Sequence, residues 1–179
     1  MTSFLRHMPV LHSQLCYGQS EVETLFDEVL WNQICENFEK LRPHTIFSSP
    51  LERCAGLARL LQQKFGTPVI YDNRLLEMNF GLWELKNWDD IDRKELDLWA
   101  KNVWSYPFPN GESAEIVFER VQSFRAEFKS QLENALVISH SGVLKLWNFE
   151  PHHPQANQHL QKKYPYATWL TLNPLNEIS

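Results

Sequence analysis

The sequence predicts an α/β fold, a three-layer α/β/α sandwich on a mainly parallel central sheet. Three observations carry that expectation. Short apolar and β-branched runs alternate with segments of helical periodicity; one run, Ala135-Leu136-Val137-Ile138, is continuously apolar; and no repeat, low-complexity stretch or Gly/Ser linker divides the 179 residues. A continuous run reads as a strand buried on both faces, and belongs at the sheet centre. Parallel neighbours need helical crossovers, and right-handed ones cover both faces of the sheet. The length suits one domain over residues 1–179, with an aromatic-rich cap inserted at about 78–112.

The first strand is Ser3 to Arg6, followed by a polar loop from His12 to Ser20. Val22, Leu25, Phe26, Val29, Ile34, Phe38 and Leu41 recur at helical spacing and predict one long amphipathic helix over Glu21 to Leu41, ended by Arg42-Pro43. Thr45 to Ser48 is a β-branched and aromatic strand. Ser49-Pro50-Leu51-Glu52 then reads as a capping box with proline at the first helical position. Leu57, Ala58, Leu61 and Phe65 continue the buried stripe of that helix, and Gly66 stands at its C-terminal cap. Pro68 to Tyr71 is the next strand. Residues 72–112 are dense in aromatics and broken by polar clusters, with a helix expected within Asp89 to Trp104. Val117, Val121, Phe124, Phe128 and Leu132 trace a helix from Ser113. Ala167 to Leu172 partly alternates and fits a closing edge strand.

Composition narrows the function. Apolar residues at 43% and charged residues at 22% exclude a disordered or fibrous chain. With 17 basic against 22 acidic residues, the net charge of −5 gives no general grip on nucleic acid or anionic lipid, so any bound anion must be held locally. The opening residues lack a signal-peptide pattern and no window approaches the ~20 apolar residues that span a bilayer, so a cytoplasmic location is expected. Cys16, Cys35 and Cys54 are scattered without a C-x-x-C pair. They read as reduced thiols, with Cys54 buried, rather than as a disulfide framework or zinc site.

Ligands of open α/β sheets gather beyond the carboxyl ends of the strands. Here those ends carry Arg6-His7, then Ser48-Ser49 with Arg53 in the following helix, then His140-Ser141-Gly142. One histidine after a strand is ordinarily structural, and one arginine in a first helical turn is ordinarily solvated. Two of each converging in an acidic chain point instead to an anion. The helix start at Ser49 would add backbone N–H donors, and phosphate is the natural guest.

Five segments together resemble the histidine phosphatase superfamily, also called phosphoglycerate mutase-like: Phe4-Leu5-Arg6-His7; Ser48-Ser49-Pro50-Leu51-Glu52-Arg53; Leu76-Glu77 with Phe80-Gly81 and Trp83-Glu84; Pro109-Asn110-Gly111-Glu112-Ser113; and Val137 through Gly142. The resemblance implies a phosphoglycerate mutase-like fold and a metal-independent, cofactor-free phosphomonoesterase. His7 corresponds to the nucleophile, Arg6, Arg53, His140 and Ser141 to the phosphate-binding groups, and Glu77 to the acid/base. Glu84 is a rival acid, but the Leu-Glu spacing favours Glu77 and leaves Glu84 as an anchor. Met8 and Leu85 depart from the family, where glycine is common at both places.

The loop Leu15 to Val22 resembles that of α-ribazole phosphatases, which implies α-ribazole 5′-phosphate as substrate and Tyr17, Gln19 and Trp83 as pocket residues. Trp83, Trp88, Trp99, Trp104 and Phe108 read first as cap packing and second as a stacking surface for a ring. Other readings stay open: a broad-specificity phosphatase, a mutase (disfavoured by the short sequence after Leu172), a phosphohistidine protein phosphatase, or a phosphate-binding module without turnover. The expected partner is a small phosphate ester, with monomer and homodimer both open. His152-His153 reads as solvated loop, and His12, His44 and His159 receive no role.

Overall fold

In the computed structural model, which describes residues 2–151, 153 and 156–172, the chain runs β1 (Thr2–Arg6), β2 (Leu15–Cys16), α1 (Glu28–Leu41), β3 (Thr45–Ser48), α2 (Glu52–Phe65), β4 (Val69–Tyr71), β5 (Lys86–Asn87), α3 (Arg93–Lys101), α4 (Ala114–Glu127), β6 (Ala135–Ser139), α5 (Ser141–Trp147), α6 (Ala156–Gln161) and β7 (Trp169–Leu172). The main sheet has the order β4-β3-β6-β1-β7. Four strands are parallel and β7 closes the edge antiparallel to β1. All five residues of β6 are buried, as its unbroken apolar run requires of a central strand.

Alternation along the strands sorts the core into two faces. Phe4, Phe47 and Val137 pack against Val117, Val121 and Phe124 of α4 and Trp147 of α5. Leu5, Ile46, Leu136 and Ile138 pack against Ile34 and Phe38 of α1 and Leu57, Ala58 and Leu61 of α2. The three layers follow directly. A third cluster, Cys16, Trp83, Ile91 and Phe108 with Phe80, Trp88 and Trp99 against it, packs beside the sheet's carboxyl edge. Trp104 is not part of it. Its ring stacks on Phe149 instead, in the first cluster. All three cysteines are buried and free. Among the described residues no helix is long and apolar enough to cross a membrane.

Two expectations are corrected here. The helix expected from Glu21 begins at Glu28, because Asp27 accepts from Leu30 N–H as an N-cap and Thr24 is drawn into a bridge with Val10. Leu25, Phe26 and Val29, counted in the apolar stripe, lie exposed. The Ser49–Glu52 capping box does not form either. Helix α2 starts at Glu52 with Leu51 at the cap position and no side-chain cap bond. Ser49 turns towards His140, and the Glu52 N–H is taken by the Glu21 carboxylate at 3.1 and 3.2 Å. The C-terminal signals do operate: Arg42 ends α1 and Gly66 ends α2, both in the left-handed region.

Leu85 also sits in the left-handed region, at φ 63°. Its N–H donates to Cys16 O at 2.7 Å, which fixes that backbone beside β5. A Cβ there costs about 1–2 kcal/mol, which explains why glycine suits this position. The Leu85 side chain is largely exposed and returns little by burial. Leu85→Gly is therefore expected to raise unfolding free energy by up to about 1 kcal/mol, after the greater chain entropy of glycine is subtracted. Asp27→Ala should lower it by about 1 kcal/mol. Urea unfolding of both variants checks the pair.

Candidate active site

The carboxyl ends of β1, β3 and β6 bring the predicted cationic groups together. His7 follows β1, and its main chain is pinned on both sides, donating from N–H to Ser139 O and accepting from Ala167 N–H. Its Nδ1 lies 2.7 Å from Met8 O. A carbonyl only accepts, so Nδ1 carries the proton and Nε2 keeps its lone pair. The ring is 1% exposed. Burial, and then the charges of Arg53 and Arg6, hold its pKa well below the ordinary 6.5.

His140 is fully buried, with its ring centroid 5.2 Å from that of His7. Arg53 Nε donates to its Nδ1 at 3.3 Å, so His140 carries its proton on Nε2, which donates to Ser49 Oγ at 2.8 Å. Burial, then the Arg53 and His7 charges, keep this imidazole neutral well below 6.5. Cys54 Sγ touches the same ring, and burial pushes that thiol's pKa up.

Arg53, 1% exposed, is the hub. Besides His140 it donates to Gly18 O and to Ser20 O, and its guanidinium lies 5.0 Å from the Tyr17 ring centre. Arg6 donates to Tyr164 O and stacks over Tyr166 at 4.0 Å, while its Nε is buried without a hydrogen-bond partner. Tyr166 lies 5.6 Å from the His7 ring and meets Tyr17 hydroxyl to hydroxyl at 3.2 Å.

Glu77 arrives from the far side. Its carboxylate accepts from its neighbour Met78 N–H at 3.0 Å and from Gly142 N–H at 3.2 Å. A Cβ on Gly142 would stand 2.1 Å from Glu77 Oε1, so glycine is what lets the acid approach α5. The Glu77 carbonyl accepts from Gln19 Nε2 at 2.9 Å and Arg120 Nη2 at 3.0 Å, and Arg120 pairs with Glu112 at 2.9 Å. Glu84 is consumed elsewhere: it accepts from the backbone of Gln19, Ser20 and Phe80 and from Ser20 Oγ.

A cavity of about 270 Å³ is lined by Arg6, Tyr17, Glu77 and Ser141 on its polar side and by Trp88 and Trp99 on its apolar side, while His7, Arg53 and His140 are buried and do not line it. Two of the three expected pocket residues are not in its wall. Trp83 is 1% exposed beneath the aromatic cluster, its Nε1 donating to Glu95 at 2.8 Å. Gln19 turns away to clasp the Glu77 carbonyl. The helix start at Ser49 does not contribute as expected, since Glu21 occupies the first N–H of α2. The roles of Ser49, Arg120 and Tyr166 left no signal in the sequence beyond Ser49 standing beside a motif proline. Among the described residues no three His, Cys, Asp or Glu side chains stand close enough to hold a metal. His152 lies outside the described residues.

The sequence profile of the histidine phosphatase superfamily (branch 1) matches residues 31–172. The chain belongs to that superfamily. An Escherichia coli K12 relative, adenosylcobalamin/alpha-ribazole phosphatase, is 36% identical over 107 residues, which cover 56% of this chain and 52% of the relative. The chain thus spans about half the length of the relatives it matches in sequence. Among solved structures, the alpha-ribazole phosphatase of Shigella flexneri superposes with a TM-score of 0.73 at 26% identity, covering 93% of this chain and 87% of that one. A mycobacterial glucosyl-3-phosphoglycerate phosphatase reaches 0.77 at 24% identity, covering 94% and 87%, and shares the fold. The superfamily fold is the phosphoglycerate mutase-like sandwich expected from the sequence.

The buried imidazoles make stability depend on pH. A folded-state pKa below 6.5 means that acidification protonates the unfolded chain first, so this contribution is present above about pH 6.5 and is lost as pH falls towards the folded values. The melting temperature is expected to fall between about pH 7 and about pH 5, and to fall less in His7→Gln. Calorimetry across that range measures both.

Proposed function

We propose that this superfamily member is a metal-independent phosphomonoesterase working through a phosphohistidine on His7. The observation that carries the reading is a buried, neutral imidazole with Nδ1 held as donor and Nε2 unprotonated, beside two arginines and a second histidine. In this reading His7 Nε2 attacks phosphorus and forms the N–P bond as the ester P–O bond breaks. Protonated Glu77 gives its proton to the leaving oxygen. Glu77, now ionised, takes a proton from the water that attacks phosphorus, and inorganic phosphate leaves as His7 regains its lone pair. Arg6 and Arg53 face the charge spread over the equatorial oxygens, where most of the benefit in phosphoryl transfer lies. His140 Nε2–H, resting on Ser49, would turn to the same oxygens, and Ser141 lines their side of the cavity.

Within that class, α-ribazole 5′-phosphate is the preferred substrate, with a broad-specificity sugar or nucleotide phosphatase as the wider reading. Support comes from the Trp88 and Trp99 wall, which suits a flat ring, from the Leu15 to Val22 loop, and from the name of the Escherichia coli relative. The segment at about 78–112 acts here as a cap that supplies that wall.

His7→Ala is expected to reduce phosphate release by at least about 10³-fold with the fold intact, and release should survive chelator; unchanged release in the variant overturns the mechanism. Gly142→Ala should leave the melting temperature near that of the parent, because the Cβ meets the movable end of Glu77. It should still lower kcat about 10- to 100-fold for alkyl phosphates and much less for an aryl phosphate, whose leaving group needs little proton. A panel of α-ribazole 5′-phosphate, phosphoglycerates and nucleotides ranks the substrates.

A further inference from the structure

Beside the phosphate site lies a second hollow, of about 360 Å³, whose wall includes Arg6, Ser141, Lys145, Lys163 and Tyr166. Arg6, Ser141, Lys145 and Tyr166 also line the first cavity, so the two spaces share a wall that includes Arg6 and Ser141, the groups which the proposed function sets against the phosphoryl oxygens. The lining of the second hollow holds three cationic side chains and no carboxylate, in a chain of net charge −5.

Lys145 is the informative member. It stands on α5 one helical turn after Ser141, which places both side chains on the same face. Its carbonyl is tied to His159 Nε2 at 2.6 Å, so the helix end that carries it is pinned to α6. The side chain is half-buried, and among the described residues neither Lys145 nor Lys163 has a carboxylate within salt-bridge distance. Glu77 attracts Lys145 from a distance, while Arg6 and Lys163 repel it. A partly desolvated ammonium that shares a hollow with two other cations costs free energy in the fold, and an anion placed between them offsets that cost.

We propose that Lys145 and Lys163 form a subsite for a second anionic group of the substrate, a carboxylate or phosphate a few bonds from the ester that His7 attacks. This deepens the phosphomonoesterase reading and rests on it. It adds acid-bearing phosphate esters to a substrate class that the aromatic wall alone would limit to neutral ring systems. The competing explanation is that Lys145 only balances the charge of Glu77. In that case its loss changes all esters alike.

The test compares three esters of one skeleton: glycerol 3-phosphate with a neutral tail, 3-phosphoglycerate with a carboxylate tail, and 1,3-propanediol bisphosphate with a phosphate tail. Binding is measured by calorimetry on the His7→Ala protein, and phosphate release on the parent. One partly buried ion pair predicts about tenfold tighter binding of an acid-bearing ester than of glycerol 3-phosphate. Lys145→Met should collapse that ratio to below about threefold, Lys145→Arg should keep it, and Lys129→Met, a distant exposed lysine, should keep it too. The carboxylate and phosphate arms show which anion is preferred. Equal affinity for all three esters, no binding of any, or a ratio untouched by Lys145→Met overturns the subsite. Absence of phosphate release from the parent overturns the hydrolytic reading instead, and the binding ratio still decides the subsite.

Discussion

The buried charge of Arg53 organises the molecule's functional edge. A guanidinium 1% exposed must have its donors met, and here they reach His140 Nδ1 and the carbonyls of Gly18 and Ser20. One side chain therefore sets the tautomer of His140, ties the loop after β2 to α2, and lowers the proton affinity of both imidazoles. The parallel register makes this possible. Arg6 pairs with Ser139 and Ser48 with Ile138, so the residues that follow each strand emerge at the same height.

A second constraint links the acid to the aromatic cluster. Arg120 on α4 binds three carbonyls of one short segment, those of Arg74, Leu76 and Glu77, and also Glu112. Glu112 accepts in turn from Asn79 N–H. Gly81, at φ 55°, lies where a Cβ would come within 2.0 Å of Pro109 O. The Glu77 backbone and the segment that walls the cavity are thus one hydrogen-bonded assembly. Glu84 locks the opposite loop to the same assembly through Gln19 and Ser20. Residues far apart in the chain hold the Glu77 carboxyl in place by fixing its main chain, the kind of rigid support that a precisely placed functional group needs.

Much of this was legible in the sequence because it depends on local pattern. The continuous run of β6 and the stripe of α2 with Gly66 behind it are read within a few residues. Errors arose where a distant partner outcompeted the local one. Ser49 fits a helix cap by spacing, yet His140, 91 positions away, takes its hydroxyl. Residues 21–27 have helical spacing, yet Val10 draws Thr24 into a bridge and Asp27 caps the helix late. Trp83 stands in a motif beside the acid, yet its burial under Phe108 and Trp99 makes it packing, while Trp88 and Trp99 form the wall. Arg120, Tyr166 and Lys145 belong to no local pattern, because only the fold brings them to the site.

The neighbours of β1 come late in the chain: β6 at Ala135–Ser139 on one side and β7 at Trp169–Leu172 on the other. Ala167 holds the His7 carbonyl and Tyr166 covers its ring. β1 therefore leaves the ribosome before either of its partners and waits, with both edges unpaired, for β6 and β7 to emerge. Closing such long loops is the slow part of folding. His7 acquires these surroundings only once residues 166 and 167 have docked, so a chain not yet extended that far presents its imidazole to water rather than buried.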